Sequence, residues 1–233
     1  MLRKIAVLNQ KGGVGKTTSV ANIAAALALK GKKVVVMDMD PQAHLTIHFG
    51  QEPEKIELGS YAVLTQSGSF EEAMMEVRKN IYLVGANINL VGAESELVSV
   101  VGRETILRDA VKPISEKFDY FIIDCPPSLG LLALNALTAV EEVFIPLQAH
   151  FLALQGLGKL LETVSLVNKR INPDLRVSAI MFCMFDSRTS LSSEVKNDVL
   201  NFLQESRNTD CPWSNAEIVP VDIRRNIKLH KVL

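Results

Sequence analysis

No stretch of this 233-residue sequence is a long hydrophobic run; none approaches the ~18 uninterrupted apolar residues of a membrane-spanning helix. The apolar core of a secretion signal is also missing. Met1-Leu2-Arg3-Lys4 leads into four apolar residues, Ile5 to Leu8, before Asn9 interrupts them, so a cytoplasmic address is expected. Cysteine is scarce: Cys125, Cys183 and Cys211 are odd in number and far apart. That excludes a disulfide framework and a Cys-x-x-Cys metal site, and leaves buried or inert thiols. A charge excess is absent too, with 25 basic against 26 acidic residues and a net charge of −1. Any contact with nucleic acid must therefore be local. Internal repeats and low-complexity tracts are lacking.

What remains is an ordinary globular composition, 48% hydrophobic, enough to bury the core of one α/β domain over residues 1–233. Short apolar runs rich in β-formers recur at Ile5 to Leu8, Val34 to Met37, Ile81 to Val84, Tyr120 to Ile123, Val143 to Pro146 and Val177 to Met184. Between them lie helical patterns: Val20 to Leu29, Thr105 to Phe118, Leu131 to Val140, Leu152 to Ile171 and Leu191 to Glu205. This alternation predicts a doubly wound, mostly parallel sheet with helices on both faces. The strands are continuously apolar rather than alternating, as strands buried on both sides should be. Gln51 to Gly68, richer in Gly, Ser and charge, is expected to be a mobile surface excursion.

The most informative residues are Lys11-Gly12-Gly13-Val14-Gly15-Lys16-Thr17-Thr18, between the first strand and the first helix. Glycine tolerates torsions that turn successive backbone amides inward, so Gly12, Gly13 and Gly15 can form an anion nest. Lys16 would place an ammonium at the β- and γ-phosphates of ATP, and Thr17 a hydroxyl at Mg²⁺. The helix that follows points its positive end at the same oxygens. The pattern GxxxxGK[ST] asks for glycine at position 10, where this chain has Gln10; the loop is a variant.

Three aspartates end predicted strands, where open α/β sheets bind ligands. Asp124 closes Tyr120 to Ile123 and has the place of an acid that holds Mg²⁺ through water. Asp38 and Asp40 end the second strand before Pro41. Two residues apart in an extended backbone, they would project to the same side. One would support the Mg²⁺ and loop network and the other orient the attacking water; spacing does not say which.

Together these motifs resemble the ParA/MinD group of deviant Walker A ATPases, and within it the Soj-like partition proteins. The resemblance runs through Asn9-Gln10-Lys11-Gly12-Gly13-Val14-Gly15-Lys16-Thr17-Thr18, Asp38-Met39-Asp40-Pro41-Gln42, Asp124-Cys125-Pro126-Pro127-Ser128-Leu129-Gly130, Asp186-Ser187-Arg188-Thr189-Ser190-Leu191 and Arg225-Asn226-Ile227-Lys228-Leu229. It implies an ATPase that dimerises on ATP, with Lys11 as the signature lysine reaching the partner's phosphates. It also implies that Asp40 positions water, that Asp38 is an active-site acid beside it, and that Asp124 is linked to Mg²⁺. Arg188, Arg225 and Lys228 match basic positions used on DNA. The expected partners are a second copy, non-specific DNA of the nucleoid and a ParB-like activator, and the expected task is chromosome or plasmid partition.

The match frays in two places. After Leu229 the family continues with a Pro- and Gly-containing loop and a final helix, which a chain stopping at Leu233 would lack. His150 stands where an acidic residue is common, and is expected to be a polar residue of a strand-to-helix turn. His44 and His48, four apart, lack a third ligand and are expected to be surface residues. The alternatives are a MinD-like membrane ATPase, suggested by the basic and apolar stretch Ile223 to Leu233, and ParA-like positioning of protein cargo. A redox ATPase like the nitrogenase iron protein would need two well-placed cysteines, which Cys125 does not supply.

Overall fold

The computed structural model describes residues 2–224. Among the described residues nine strands, β1 (Arg3–Val7), β2 (Val34–Asp38), β3 (Met74–Arg78), β4 (Ile81–Val84), β5 (Tyr120–Asp124), β6 (Glu142–Gln148), β7 (Arg176–Phe185), β8 (Glu217–Ile218) and β9 (Ile223–Arg224), form one sheet. Its order is β3-β4-β2-β5-β1-β6-β7-β8, with β9 also paired to β7. All pairings are parallel except β3 with β4. The helices are α1 (Lys16–Leu29), α2 (His44–His48), α3 (Ser60–Leu64), α4 (Phe70–Ala73), α5 (Leu90–Glu96), α6 (Ile106–Ala110), α7 (Leu131–Ala139), α8 (Ala153–Arg170) and α9 (Ser190–Ser206). Among the described residues no helix is long and apolar enough to cross a membrane.

The central strands are apolar throughout because both sheet faces are covered. On β2, Val35 and Met37 join one core cluster while Val34 and Val36 join the other. On β5 the split is Phe121 and Ile123 against Ile122. This is the two-residue alternation of an extended chain between two apolar layers. The layer holding Val34, Val36 and Ile122 takes α1 through Val20, Ala21 and Ala24, whereas α7 and α8 pack into the other. At the amino end of the sheet, buried Glu142 accepts two hydrogen bonds from Arg3, at 2.8 and 2.9 Å, which ties β1 to β6. The opposite, carboxyl end is left for ligands.

Two expectations are corrected, and one strand is added. Residues 51–68 are not a surface excursion: Ile56, Gly59, Ser60, Ala62, Val63 and Leu64 are buried, and the Ser60 hydroxyl donates to the Asp38 carbonyl. Their polar composition hides a short helix, α3, too brief for its period to show. The span Thr105 to Phe118 is not one helix, since Pro113 limits α6 to five residues followed by a short 3₁₀ turn at Lys112–Ile114. Strand β3, unanticipated, makes an antiparallel hairpin with β4 through Lys79-Asn80, where Asn80 has φ 66°. Asparagine tolerates that left-handed region better than most residues.

Candidate nucleotide-binding site

In the loop between β1 and α1 two of the three glycines, though not Gly12, adopt the left-handed backbone that favours this residue. Gly13 and Gly15 have φ 71° and 95°, and Gly15 is the residue from which α1 starts. Any other L-residue at these positions would carry a backbone penalty of about 1–2 kcal/mol. A side chain reinforces the loop's shape: the Asn9 amide donates to the Pro146 carbonyl at 2.6 Å, and its oxygen accepts from the Lys11 amide at 3.0 Å. Asn9, buried where β1 meets β6, therefore fastens the start of the loop to the neighbouring strand.

The two loop lysines diverge. Lys16 is buried, 7% exposed, and its ammonium donates to the Lys11 carbonyl at 3.4 Å. Burial lowers its proton affinity, while nearby Asp124 acts in the opposite direction. Lys11 is exposed, and its ammonium donates at 3.1 Å to Gln148 at the end of β6. One lysine faces the acids of its own chain; the other sits on the outer side of the loop. Thr17 is half-buried and Thr18 exposed, while Val14 is packed away.

The aspartates also separate by environment. Asp38 and Asp124 are register partners at the ends of adjacent strands, both essentially buried. Asp38 spends its oxygens on its own chain: Oδ2 accepts from the Thr46 amide at 2.9 Å and hydroxyl at 2.8 Å, and Oδ1 from the Asp40 amide at 3.1 Å. Among the described residues neither oxygen of Asp124 has a hydrogen-bond partner. The Thr17 hydroxyl is near enough to favour its ionised form without reaching hydrogen-bonding geometry. Burial, with Asp38 adding like charge, pushes the Asp124 carboxyl up to about 7. Burial likewise pushes Asp38 to about 6, against the Thr46 bonds.

Two unpartnered buried carboxylate oxygens beside a threonine hydroxyl and an ammonium fit a divalent cation with phosphate, because an orphaned buried charge is costly unless it is matched. Thr17 and Asp124 are the residues that could hold it. Asp38, one of the two acids expected to support the Mg²⁺ and loop network, has both oxygens engaged by its own chain and anchors the turn that follows. Although β2 ends at Asp38, Asp40 stays near the same cluster, where its charge acts on Asp38, Asp124 and Lys16. Asp40 lies beyond the strand in a half-exposed turn, where its Oδ1 accepts from the Gln42 amide at 3.0 Å.

Of the basic residues, Arg188 is exposed in the β7–α9 loop and forms a two-bond fork with Asp186, at 2.9 and 2.7 Å. Arg225 and Lys228 lie outside the described residues. His150 is exposed, and its Nδ1 accepts from the Leu152 amide at 3.3 Å at the start of α8, as a turn residue would. His44 and His48 bracket α2 on its exposed side. Cys125 and Cys183 are buried, and burial raises the Cys125 thiol far above its ordinary range. Sequence inspection missed Thr46 and gave Gln148 no role, since both act only because the fold brings them beside Asp38 and Lys11.

A parallel sheet, a positive-φ glycine loop at the carboxyl end of its central strand, a buried lysine and an open strand-end aspartate define a P-loop nucleotide-hydrolase site. A family model described as an AAA domain matches residues 2–177. The sporulation initiation inhibitor protein Soj of Bacillus subtilis is 43% identical over 202 residues, which cover 86% of this chain and 80% of that protein. The chromosome partitioning protein ParA of Myxococcus xanthus is 40% identical over 233 residues, covering 95% and 82%. A solved Mycobacterium smegmatis structure, described as cobyrinic acid a,c-diamide synthase with bound ATP analogue and magnesium, is 40% identical with a TM-score of 0.87, covering 97% and 88%. The chain belongs to the ParA/Soj family and is a ParA-type partition ATPase.

Proposed function

We propose that this ATPase is an ATP-driven dimer switch that binds DNA without sequence preference and moves chromosome or plasmid DNA over the nucleoid with a ParB-type partner. The observation that carries it is the divergence of the two lysines. Lys16 is committed to the acids of its own chain, whereas the exposed Lys11 ammonium on the β6 side of the loop suits a phosphate presented by a second subunit. Two such subunits would sandwich two nucleotides and complete each other's sites.

Within one subunit, the amides of Gly12, Gly13, Val14 and Gly15 would cradle the phosphates of ATP and Lys16 would neutralise them. Mg²⁺ would be held by Thr17 and Asp124, where it would offset charge on the β- and γ-oxygens. Asp38, fixed by Thr46, holds the turn that presents Asp40, and Asp40 would orient the attacking water. Little covalent chemistry is asked of the protein, so turnover is slow until a partner completes the arrangement.

Dimerisation doubles each basic residue on one surface, which raises DNA affinity without a strongly basic domain. With Arg188 and Arg225 from each subunit touching about four phosphates, the slope of log affinity against log salt is roughly −3.6. Raising salt from about 50 to 200 mM then costs about a hundredfold. Base-reading motifs are not needed for such binding. The test is sedimentation of Asp40→Ala, locked with MgATP, alone and with a random-sequence duplex. Dimers that bind DNA are expected; a variant that stays monomeric with MgATP, or a dimer that ignores DNA, would end this proposal.

A further inference from the structure

Strand β9 is a weak element by its own means. It is two residues long, both are exposed, and it meets β7 at two rungs, Cys183 with Ile223 and Phe185 with Arg224, with a register shift between them. Two rungs at a sheet edge, with almost no apolar burial, do not hold a strand in place. Yet this strand carries Arg224, and Arg225 follows it in sequence. Its partner β7 leads within three residues of Phe185 to Arg188. The register therefore decides whether basic residues from two distant parts of the chain share one edge.

The residue just before β9 is held from elsewhere. Asp222 receives two hydrogen bonds from the Lys196 ammonium on α9, both at 2.7 Å, across 26 residues of sequence. The two side chains are 26% and 21% exposed, unlike the open local pair of Lys112 with Asp109 at 72% and 54%. The same ammonium stands over the rings of Phe182 and Phe185 on β7, 5.7 and 5.3 Å from their centres. An ammonium that meets a carboxylate on one side and two aromatic faces on the other is held in one position, and partial burial strengthens both attractions. Lys196 thus ties three elements together: α9 through its backbone, β7 through the rings, and β9 through Asp222.

We infer that Lys196 is a positioning residue for DNA binding: its pair with Asp222, seated on Phe182 and Phe185, fixes β9 in register so that the basic edge of β9 lies alongside Arg188. This inference rests on the proposed DNA binding, but the anchoring of β9 is measurable without DNA. Lys196 is far in sequence from the phosphate loop and makes none of its contacts described above, so ATP binding should not depend on it.

The test compares the full-length chain with Lys196→Met and Asp222→Asn, the second keeping the side chain's shape in case the first disturbs folding. Lys196→Arg serves as the conservative rescue. Two quantities are read: amide hydrogen exchange at Ile223 and Arg224, and the salt dependence of MgATP-driven binding to a random-sequence duplex. Both disrupting variants should exchange faster at those amides and bind ATP normally. Their salt slope should become shallower than that of the unmutated chain, by about 0.9 for each phosphate contact that Arg224 no longer makes. Lys196→Arg should stay near the unmutated values. Unchanged exchange, or an unchanged slope in chains that do bind DNA, would overturn the inference. If the unmutated chain ignores DNA while exchange still accelerates in the variants, the DNA reading falls and Lys196 is left as an anchor of β9 alone.

Discussion

Replacing Lys11 with alanine separates the two jobs assigned to the phosphate loop. The Lys11 backbone bonds, its amide to Asn9 at 3.0 Å and its carbonyl from Lys16 at 3.4 Å, survive the substitution. What is lost within the subunit is one exposed hydrogen bond to Gln148. Surface changes of this kind shift stability by no more than about 0.5 kcal/mol, so fold and ATP affinity should be nearly unchanged. Across a dimer the effect is large. Truncating one member of a desolvated charge pair costs about 2–5 kcal/mol, and a two-fold interface loses two such pairs. Even the lower figure gives about 4 kcal/mol, which at about 1.4 kcal/mol per tenfold weakens dimerisation roughly a thousandfold. The assay is sedimentation velocity in MgATP on an Asp40→Ala background, paired with a fluorescent-nucleotide titration. Dimerisation within tenfold of the parent would refute the assignment of Lys11 to the partner's nucleotide. Loss of nucleotide binding would instead make Lys11 part of its own subunit's site.

Other outcomes follow from the buried acids. Burial pushes the Asp124 carboxyl up to about 7 and that of Asp38 up to about 6, both above the ~3.9 of an unfolded aspartate. A carboxyl raised by folding contributes stability that is full below its unfolded pKa and is lost as pH rises through its folded one. Asp124→Asn should therefore flatten the fall in melting temperature between about pH 4 and 7 and also remove the magnesium dependence of nucleotide binding; an unaltered pH profile would contradict the buried, unpaired state of Asp124. Thr46 donates to Asp38 and accepts from the Ala86 amide at 2.9 Å, so Thr46→Val leaves two buried polar groups short of a partner. Urea denaturation should show a loss of about 1–3 kcal/mol, and an unshifted midpoint would show that these bonds add nothing.

The phosphate loop, the strand-end aspartates and the doubly wound class were legible because each is written in contiguous residues. A glycine spacing, a four-residue apolar run or a helical period states its meaning within a few positions. Where the local signal was short or mixed, legibility ended. Helix α3 is five residues long inside a polar segment, and β3 alternates weakly at an edge.

The sequence by itself determined that a lysine, a threonine and an aspartate would stand at the carboxyl end of the sheet, since the order of strand, loop and helix leaves them no other place. Tertiary structure alone decided what each of them faces. Lys11 meets Gln148 across 137 positions, and Asp38 is consumed by Thr46 while Asp124 is left open. Lys196 reaches Asp222 because its ammonium stands over Phe182 and Phe185 of β7, the strand to which β9 is paired. Such contacts depend on strand order and register, which set direction and burial, and those are properties of the assembled sheet that no short stretch of chain encodes.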